Sequence, residues 1–325
     1  MHEEPLPASV DVAIVGGGPA GLSAAIALGR SRRSVVVIDA GEPRNAPAAH
    51  AHNVFSRDGA PPRELIADAR EQAARYGVIV HDGSVTAATR VDPSWFELTT
   101  AGGATLRARR IVLASGLRDV LPAIPGLREH WGDSVVHCPY CHGWEVRDRP
   151  IVVIGTTPRS GHQALMFSRL SDDVVFVRHD TPADPEVDAD LRALGVRVLD
   201  ARAARLVDDA SGSLAVVELD DGSELPAGAV AIGPAFEART ELYELLGGDP
   251  LVVEGVGVVI PADPTGRTPI DGVWAAGNSA DATAMVGASA AAGTMAGAAL
   301  NMDLLLEEVA ALRAEGPAPH AIPLA

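Results

Sequence analysis

The N-terminal part of the chain alternates apolar runs with turn residues in the order strand, turn, helix, strand. Residues 11–15 (DVAIV) form an apolar run of strand length, and residues 16–21 (GGGPAG) follow as a glycine-rich turn. Residues 22–30 (LSAAIALGR) carry apolar side chains at helical spacing, and a second apolar run, residues 34–39 (SVVVID), ends at Asp39. This pattern predicts a β-strand, a helix and a second, parallel strand.

The glycine-rich turn has the spacing of a dinucleotide-binding loop. Gly16, Gly18 and Gly21 match the pattern G-x-G-x-x-G, in which glycine lets the backbone approach a pyrophosphate closely. The N-terminus of the following helix supplies N–H donors and the positive end of a dipole. Asp39 lies near the position, about 20 residues after the glycines, from which an acidic side chain reaches a ribose. A tight turn that merely requires glycine is the alternative interpretation, and the strand–helix–strand context favours the dinucleotide.

A second unit of the same kind lies near the middle of the chain. Residues 151–155 (IVVIG) predict a strand, residues 156–170 a helix, and residues 174–177 (VVFV) the next strand. Between the two units, residues 61–76 predict a helix, and the alternating stretches within residues 95–115 predict a small β meander. The chain therefore contains two αβ units separated by a helix and antiparallel strands.

These elements predict an α/β fold with two Rossmann-like dinucleotide-binding domains, each doubly wound in three layers, the second inserted in the first. We expect the first domain to comprise residues 1–117 and 246–325, and the second, which carries the cysteines, residues 118–245. Residues 272–278 (GVWAAGN) predict a strand that runs into a turn, and a helix rich in small residues follows from about Thr283.

The composition excludes several functions. The chain of 325 residues has 26 basic and 43 acidic residues and a net charge of −17, which disfavours sequence-independent nucleic-acid binding. All the basic residues are arginine, which excludes a Schiff-base lysine and a P-loop lysine. Residues 284–302 are free of charge, but they are mostly alanine and glycine and predict a buried helix, not a membrane span. Residues 1–9 lack the pattern of a signal peptide, so we expect a cytoplasmic protein with neither membrane nor nucleic-acid partners.

The two cysteines, Cys138 and Cys141, lie in one CPYC motif. A structural zinc site or an iron–sulfur cluster held by four thiolates would need a second pair of cysteines, so we predict no metal. Two thiols at this spacing form a small-ring disulfide that exchanges readily. Half of a metal site and a pair of small buried residues are the alternative interpretations.

The chain resembles the low-molecular-weight thioredoxin reductases and their relatives over nearly its whole length. The motifs that carry the resemblance are residues 16–21, 115–126, 137–145 (HCPYCHGWE) and 272–278. The resemblance implies that the first domain binds FAD, that the second binds NADPH, that the CPYC motif lies against the flavin, and that the protein is a homodimer. The residues that it implies for FAD binding are Gly16, Gly18, Pro19, Ala20, Gly21, Asp39, Ala40, Arg44, Asn45, His52, Asn53, Ala114, Ser115, Gly116, Gly277, Asn278 and Val286.

The chain departs from the reductases in both domains. Thr157 stands where the second loop would have its central glycine, so a Cβ obstructs the pyrophosphate, and Pro158 removes an N–H donor. The arginine cluster that would hold the 2′-phosphate of NADPH is reduced to Arg178. His142 replaces the aspartate that follows the second cysteine, and Asn278 replaces an aspartate near the flavin, where an amide can still hydrogen-bond.

These departures resemble a branch of the family, the flavin-dependent dithiol oxidases that close an intramolecular disulfide in gliotoxin or in holomycin, a dithiolopyrrolone antibiotic. The branch keeps the flavin and the CxxC motif, carries Cys-His-Gly as at residues 141–143, and passes electrons to O₂, giving H₂O₂. The resemblance implies a small-molecule dithiol as substrate. Two alternatives are an NAD(P)H-dependent thioredoxin-disulfide reductase, with thioredoxin as its partner, and a flavin-bound redox sensor that acts through a protein partner. The loop at Thr157 favours the oxidase over the reductase.

The resemblance assigns a role to each cysteine, and the neighbouring histidines supply candidates for proton transfer. A substrate thiolate would attack Cys138, and Cys141 would be the cysteine next to the flavin. His142 has an ordinary pKa of about 6.5 and can move protons between thiols near neutral pH. His137 flanks the motif on the other side and could lower the pKa of the Cys138 thiol. For both histidines a structural hydrogen bond is the alternative. His50 and His52 have two interpretations as well: they line the flavin or substrate pocket, or they lie in a loop that is exposed to solvent.

Overall fold

The computed structural model describes residues 6–315, which fold into parallel sheets flanked by helices. The helices are α1 (Pro19–Arg30), α2 (Pro62–Ala74), α3 (Pro139–His142), α4 (Ser160–Phe167), α5 (Pro185–Ala193), α6 (Glu241–Leu245) and α7 (Val286–Glu315). The strands are β1 (Ser9–Val15), β2 (Val35–Asp39), β3 (Ile79–Asp82), β4 (Val85–Asp92), β5 (Trp95–Thr100), β6 (Thr105–Leu113), β7 (Leu117–Val120), β8 (Val135–Val136), β9 (Ile151–Ile154), β10 (Val174–Val177), β11 (Arg197–Leu199), β12 (Ala203–Asp208), β13 (Leu214–Leu219), β14 (Glu224–Pro226), β15 (Ala229–Ile232), β16 (Ala235–Ala238), β17 (Leu251–Val253), β18 (Gly257–Val259) and β19 (Val273–Ala275). The predicted α/β class is confirmed.

The first sheet holds the first glycine-rich loop at its carboxyl edge. Strands β3, β2, β1 and β6 run parallel in that order, and β19 and the antiparallel pair β5–β4 continue beyond β6. The middle strands are buried on both faces, which explains their unbroken apolar runs. Because parallel strands end at the same edge, the residues after β1, β2 and β6 meet there: Gly16, Ala40 and Ala114.

Helices α1 and α7 cover one face of this sheet and pack very closely. A Cβ at Gly297 would lie 2.8 Å from the carbonyl oxygen of Ala24, and a Cβ at Gly293 would collide with the backbone of Ala20. The small residues of α7 therefore allow the two backbones to approach each other. The prediction of a buried helix holds for this face only, because Met295 and Met302 are 52% and 53% exposed on the other side. The prediction that α7 begins near Thr283 was wrong by three residues, because the Asp281 carboxylate accepts hydrogen bonds from the N–H and hydroxyl of Thr283 and holds a turn there.

The second sheet carries the redox motif at its carboxyl edge. Strands β11, β10, β9, β15 and β8 are all parallel, with α4 following β9 and α3 following β8. Strands β12, β13 and β14 form a separate antiparallel sheet, whose hairpin at residues 220–222 is the one that the sequence predicts. Cys138 thus lies at the end of a parallel strand, where α/β folds place their ligands.

A four-stranded sheet of β17, β18, β16 and β7 joins the two halves, with β7 and β16 antiparallel. Leu242 and Tyr243 of α6 are buried in the core beneath the first sheet. The division at residues 117–118 and 245–246 remains our proposal, and α6 packs with the first half. Within residues 6–315, no helix is long and apolar enough to cross a membrane.

Candidate functional site

One cavity of about 1290 Å³ runs from the first glycine-rich loop to the CPYC motif. Its walls come from the loops after β1, β2 and β6, one face of α2, the redox helix α3, the loop before α4, and the start of α7. The carboxyl edges of both sheets therefore open into the same space.

The first glycine-rich loop is shaped to receive a phosphate. Gly16 has a φ of +102°, and a Cβ there would collide with the carbonyl of Ala114, so the strand end needs glycine. A Cβ at Gly18 would meet no atom of the described residues within 4 Å, because Gly18 faces the open cavity. Gly18 is also the N-cap of α1 and has no side chain to occupy the first N–H groups of the helix. The loop thus leaves both space and N–H donors for a pyrophosphate.

Asp39 lies beside this loop at the end of β2. A Cβ at Gly17 would be 2.7 Å from the Asp39 Cγ, so the carboxyl group and the loop are in contact. The Arg70 guanidinium donates to Asp39 Oδ2 at 2.5 Å and to Asp82 Oδ1 at 2.7 Å. Asp39 is therefore fixed at the cavity wall beside the glycine-rich loop, and its contact with a ribose stays a prediction.

Arg44 connects the loop after β2 to the strands that join the two halves. Its guanidinium donates to both carboxylate oxygens of Asp119, at 2.8 and 2.6 Å, and to Oδ1 of Asn278 at 3.2 Å. It also lies 4.9 Å from the ring centroid of Phe236. The Asn278 amide donates in turn to the carbonyls of Asp281 and Ala284, before α7.

The redox motif forms a disulfide between Cys138 and Cys141, with 5.2 Å between their Cα atoms. Cys138 is the N-cap of α3, a single turn whose members are half-buried or exposed. Both cysteines line the cavity, and the Tyr140 side chain between them is 67% exposed. The disulfide is therefore accessible to a molecule that enters the cavity.

His142 lines the cavity directly after the second cysteine. Its Nε2 is buried without a hydrogen-bond partner among residues 6–315. Burial lowers the pKa of His142, the charge of Glu145 raises it, and the charge of His52 lowers it. The net effect is a lowered pKa, so the imidazole is neutral at pH 7 with a ring nitrogen still available.

His137 makes two hydrogen bonds on the other side of the motif, and a third joins its two partners. Its Nδ1 donates to the Ile232 carbonyl at 3.0 Å, and the Gln163 amide donates to the carbonyls of His137 and Ile232 at 2.6 and 3.0 Å. Burial lowers the pKa of His137, although the hydrogen bond to Ile232 opposes this. Because a neutral imidazole carries no charge, the geometry gives His137 a structural hydrogen bond and argues against the predicted lowering of the Cys138 pKa.

The second nucleotide loop satisfies its own N–H groups. The Ser160 hydroxyl oxygen accepts hydrogen bonds from the N–H groups of Thr156 and Thr157, both at 3.1 Å. The Thr157 side chain packs against Gly233, where a Cβ would be 2.9 Å from its Oγ1. Two N–H groups of the loop, those of Thr156 and Thr157, are thus engaged by a side chain at the start of α4.

Two arginines near this second loop are paired with carboxylates, whereas Arg159, in the loop itself, has no carboxylate partner among residues 6–315. Arg178 donates to Asp188 at 2.6 Å and also pairs with Asp200, while Arg202 lies 2.5 Å from Asp180. Asp188 is itself buried. A 2′-phosphate at this position would meet carboxylates and arginines whose charge is already balanced.

A family model described as pyridine nucleotide-disulphide oxidoreductase matches residues 10–297, the span that contains both glycine-loop units and the disulfide. The chain belongs to this family. The oxidoreductase is 34% identical to thioredoxin reductase tcpT of Claviceps purpurea over 308 residues, which cover 92% of this chain and 95% of that protein. It is 31% identical to thioredoxin reductase sirT of Leptosphaeria maculans over 330 residues, covering 94% and 97%.

Solved structures resemble the oxidoreductase over nearly its whole length. The structure of HlmI superposes with a TM-score of 0.88 at 40% identity and covers 96% of this chain and 98% of its own. An oxidoreductase from Agrobacterium tumefaciens superposes with a TM-score of 0.86 at 37% identity, covering 92% and 99%. The protein is therefore a flavin-dependent thiol/disulfide oxidoreductase, and its cofactor is FAD.

The predicted FAD residues of the oxidoreductase fall into two groups. Most line the cavity: Gly16, Gly18, Pro19, Ala20, Asp39, Ala40, Arg44, Asn45, His52, Ala114, Ser115, Gly116, Asn278 and Val286. Gly21, Gly277 and Asn53 lie outside its lining. Gly21 packs on the Gly16 carbonyl, and a Cβ at Gly277 would be 2.7 Å from the Ala20 Cβ, so both glycines serve helix packing. Asn53 instead donates to the carbonyl of Tyr140.

Sequence reasoning missed several residues of the oxidoreductase site. Arg70 is the clearest, and a signal for it exists: Arg63, Ile66, Ala67 and Arg70 recur at helical spacing, and this face of α2 lines the cavity. The partners of three other site residues have no local signal, because each comes from a distant segment: Asp119, Glu145 and Gln163.

Proposed function

We propose that this oxidoreductase is an FAD-dependent dithiol oxidase, which closes an intramolecular disulfide in a small-molecule natural product and delivers the electrons to O₂. The observation that carries the proposal is the second nucleotide loop, whose N–H groups are hydrogen-bonded to Ser160 while Arg178 is paired with Asp188. A reductase needs this loop for NAD(P)H, whereas an oxidase that takes electrons from a dithiol does not.

The surroundings of the disulfide favour a small apolar substrate. On the redox loop, residues 137–145, Tyr140 lines the cavity and is 67% exposed, and Met285 is 42% exposed where the cavity reaches α7. An exposed aromatic side chain between the two cysteines offers apolar contact area to a ring that carries two thiols.

The first half of the proposed reaction takes place at the disulfide. One substrate thiolate attacks the Cys138 sulfur, which breaks the Cys138–Cys141 bond and leaves a mixed disulfide and a Cys141 thiolate. The second substrate thiolate attacks the substrate sulfur of the mixed disulfide, so the cyclic disulfide leaves and Cys138 is released as a thiolate. His142, neutral at pH 7, accepts a proton from a substrate thiol and can return it to a leaving thiolate.

FAD, bound along the first glycine-rich loop, supplies the two-electron chemistry that reoxidises the cysteine pair and reduces O₂. The residues that would hold FAD are Gly18, which leaves room for a pyrophosphate, and Asp39, which would bind a ribose, and the start of α7 lines the same cavity. The balance is dithiol plus O₂ giving cyclic disulfide plus H₂O₂. A homodimer, which the resemblance implies, belongs to the same proposal.

The second candidate is an NAD(P)H-dependent thioredoxin-disulfide reductase. The names of the curated relatives tcpT and sirT favour it. The engaged amides of Thr156 and Thr157 disfavour it, because a nicotinamide dinucleotide would have to displace the Ser160 hydroxyl.

The proposal is tested by oxygen uptake with a cyclisable dithiol. Wild-type protein should consume O₂, and added catalase should return half of it, since H₂O₂ is the product. Cys138→Ser and Cys141→Ser should each abolish uptake while retaining FAD, because each removes one atom of the exchanging disulfide. Uptake that survives in either variant would mean that the dithiol reduces the flavin directly, and the proposed exchange would be wrong.

A further inference from the structure

Residues 50–60 form a loop, here called the strap, that crosses from the first half of the chain to the redox motif. Its ends are paired through Ala51 and Ala60, with hydrogen bonds of 2.9 Å from Ala51 N to Ala60 O and from Gly59 N to Ala51 O. Within it, the Asp58 carboxylate accepts from the N–H of Asn53 at 2.7 Å. Asn53 has a φ of +58°, in the left-handed region that asparagine tolerates well. The strap therefore presents the Asn53 side chain in a fixed direction.

The strap contacts the redox loop on both sides of Cys141. The Asn53 amide nitrogen donates to the carbonyl oxygen of Tyr140, the residue immediately before Cys141, at 2.6 Å. The His52 Nε2 lies 3.3 Å from Oε1 of Glu145, beyond His142. Of these two contacts, the one from Asn53 reaches the peptide that lies between the two cysteines.

The bond from Gln163 to the His137 carbonyl anchors the residue before the redox motif, and among residues 6–315 the bond from Asn53 is the one hydrogen bond that ties α3 itself to another segment. Helix α3 is one turn of four residues, all half-buried or exposed. A single turn is far too short to be stable by itself. Its own hydrogen bonds run from the N–H groups of Cys141 and His142 to the Cys138 carbonyl, at 3.2 and 3.1 Å, and they only hold the turn together. Breaking the sulfur–sulfur bond removes the covalent restraint that spans this turn.

We propose that Asn53 is a positioning residue, which holds the redox loop in place while the disulfide is open. The hydrogen bond to the Tyr140 carbonyl keeps the peptide before Cys141 tied to the half of the chain that binds FAD. The Cys141 sulfur then stays where it can pass its electrons onward. This role belongs to the exchange between cysteines and flavin, and it holds for any dithiol that reduces the disulfide.

The test uses Asn53→Gly, which keeps the left-handed backbone and deletes only the amide. In a Cys138→Ser background, the remaining Cys141 thiolate beside FAD should give a charge-transfer absorbance. We expect Asn53→Gly to lower this absorbance at unchanged FAD content, because the loss of one ordinary hydrogen bond shifts the equilibrium between the positioned and the displaced loop about fivefold. Asn53→Asp, which fits the same backbone but cannot donate, should lose at least as much. Ser56→Gly is the matched control, since Ser56 lies in the same strap with a φ of +63°.

A second readout separates positioning from simple stability. In the protein with both cysteines, flavin reduction by a dithiol without O₂ should slow about fivefold in Asn53→Gly, while reoxidation by O₂ and the thermal midpoint stay as in wild type. An unchanged absorbance in Asn53→Gly, or an equal loss in Ser56→Gly, would overturn the proposal. The absorbance requires neither dithiol nor O₂, so its outcome is independent of whether the protein is a dithiol oxidase.

Discussion

At the scale of single residues, His142 has the properties of a general base for thiols. It follows Cys141 directly, it lines the cavity, and its Nε2 is free of hydrogen bonds within residues 6–315. Burial is the main cause of its lowered pKa, and the opposing charge of Glu145 is weaker. A neutral imidazole accepts a proton without first losing one, so the base is ready at neutral pH.

We predict that the replacement His142→Asn slows flavin reduction by a dithiol by about 10²–10⁴-fold, the usual scale of general acid–base catalysis, and leaves reoxidation by O₂ unchanged. Because the folded protein lowers the pKa of His142, the wild-type rate should hold down to pH values below about 6.5 and fall only as pH passes the lowered pKa. The variant should lack this acidic limb. Stopped-flow traces across pH, with flavin content measured alongside, make the comparison.

The control for this prediction is His81→Asn, on β3 and outside the cavity lining, which should behave as wild type. A purely structural His142 would give a different result. Its loss would then lower flavin content or the thermal midpoint, and the half-reaction would be unchanged in the protein that stays folded.

At the scale of elements, the two loops that follow β1 and β9 have diverged. The first ends in Gly18, which leaves the N-terminus of α1 open to the cavity. The second is closed by the hydroxyl of Ser160, a residue only 1% exposed, which accepts from two backbone N–H groups. The same strand–turn–helix unit thus leaves the N-terminus of its helix open in one half and hydrogen-bonds two amides to a side chain in the other.

We predict that Ser160→Ala destabilises the protein by about 1–3 kcal/mol, since the N–H groups of Thr156 and Thr157 lose their acceptor in a part-buried loop. The substitution should not give the protein the ability to oxidise NADPH, because Arg178 stays paired with its carboxylates. Urea unfolding measures the first effect. Ser168→Ala is the control at the other end of α4, where the hydroxyl donates to a carbonyl, and it should change stability by less than about 0.5 kcal/mol. A variant as stable as wild type, or one that oxidises NADPH rapidly, would refute this account of the loop.

The elements themselves were largely predictable from the sequence. Strands such as β1 and β2 are buried on both faces, so their apolar runs appear directly in the chain. The start of α7 was missed because the turn at Asp281 depends on a side-chain hydrogen bond that apolar spacing does not report. Contacts between residues that are distant in the sequence could not be predicted. Arg70 and Asp39 are 31 residues apart, Arg44 and Asp119 are 75, and Asn53 and Tyr140 are 87. Periodicity reports burial within an element, whereas these contacts arise only when distant segments meet.

At the scale of the whole molecule, the edges at which the parallel strands of the first and second sheets end both face one cavity. The edge of the first sheet supplies the FAD loop, and the edge of the second supplies the disulfide after β8. The strap and the pair of Arg44 with Asp119 tie the two edges together. Electrons can therefore pass between the disulfide and FAD within this cavity, and the second nucleotide loop takes no part in the route that we propose.

The most direct test of this account is to mix the purified flavoprotein, without O₂, with a cyclisable small dithiol, with NADPH and with NADH, and to follow flavin bleaching by stopped flow. We predict that the dithiol bleaches the flavin rapidly and that both nicotinamides do so poorly, because the amides of Thr156 and Thr157 are held by Ser160 and Arg178 is paired with Asp188. Rapid bleaching by NADPH, with little or none by the dithiol, would contradict the account and identify the protein as a thioredoxin-disulfide reductase.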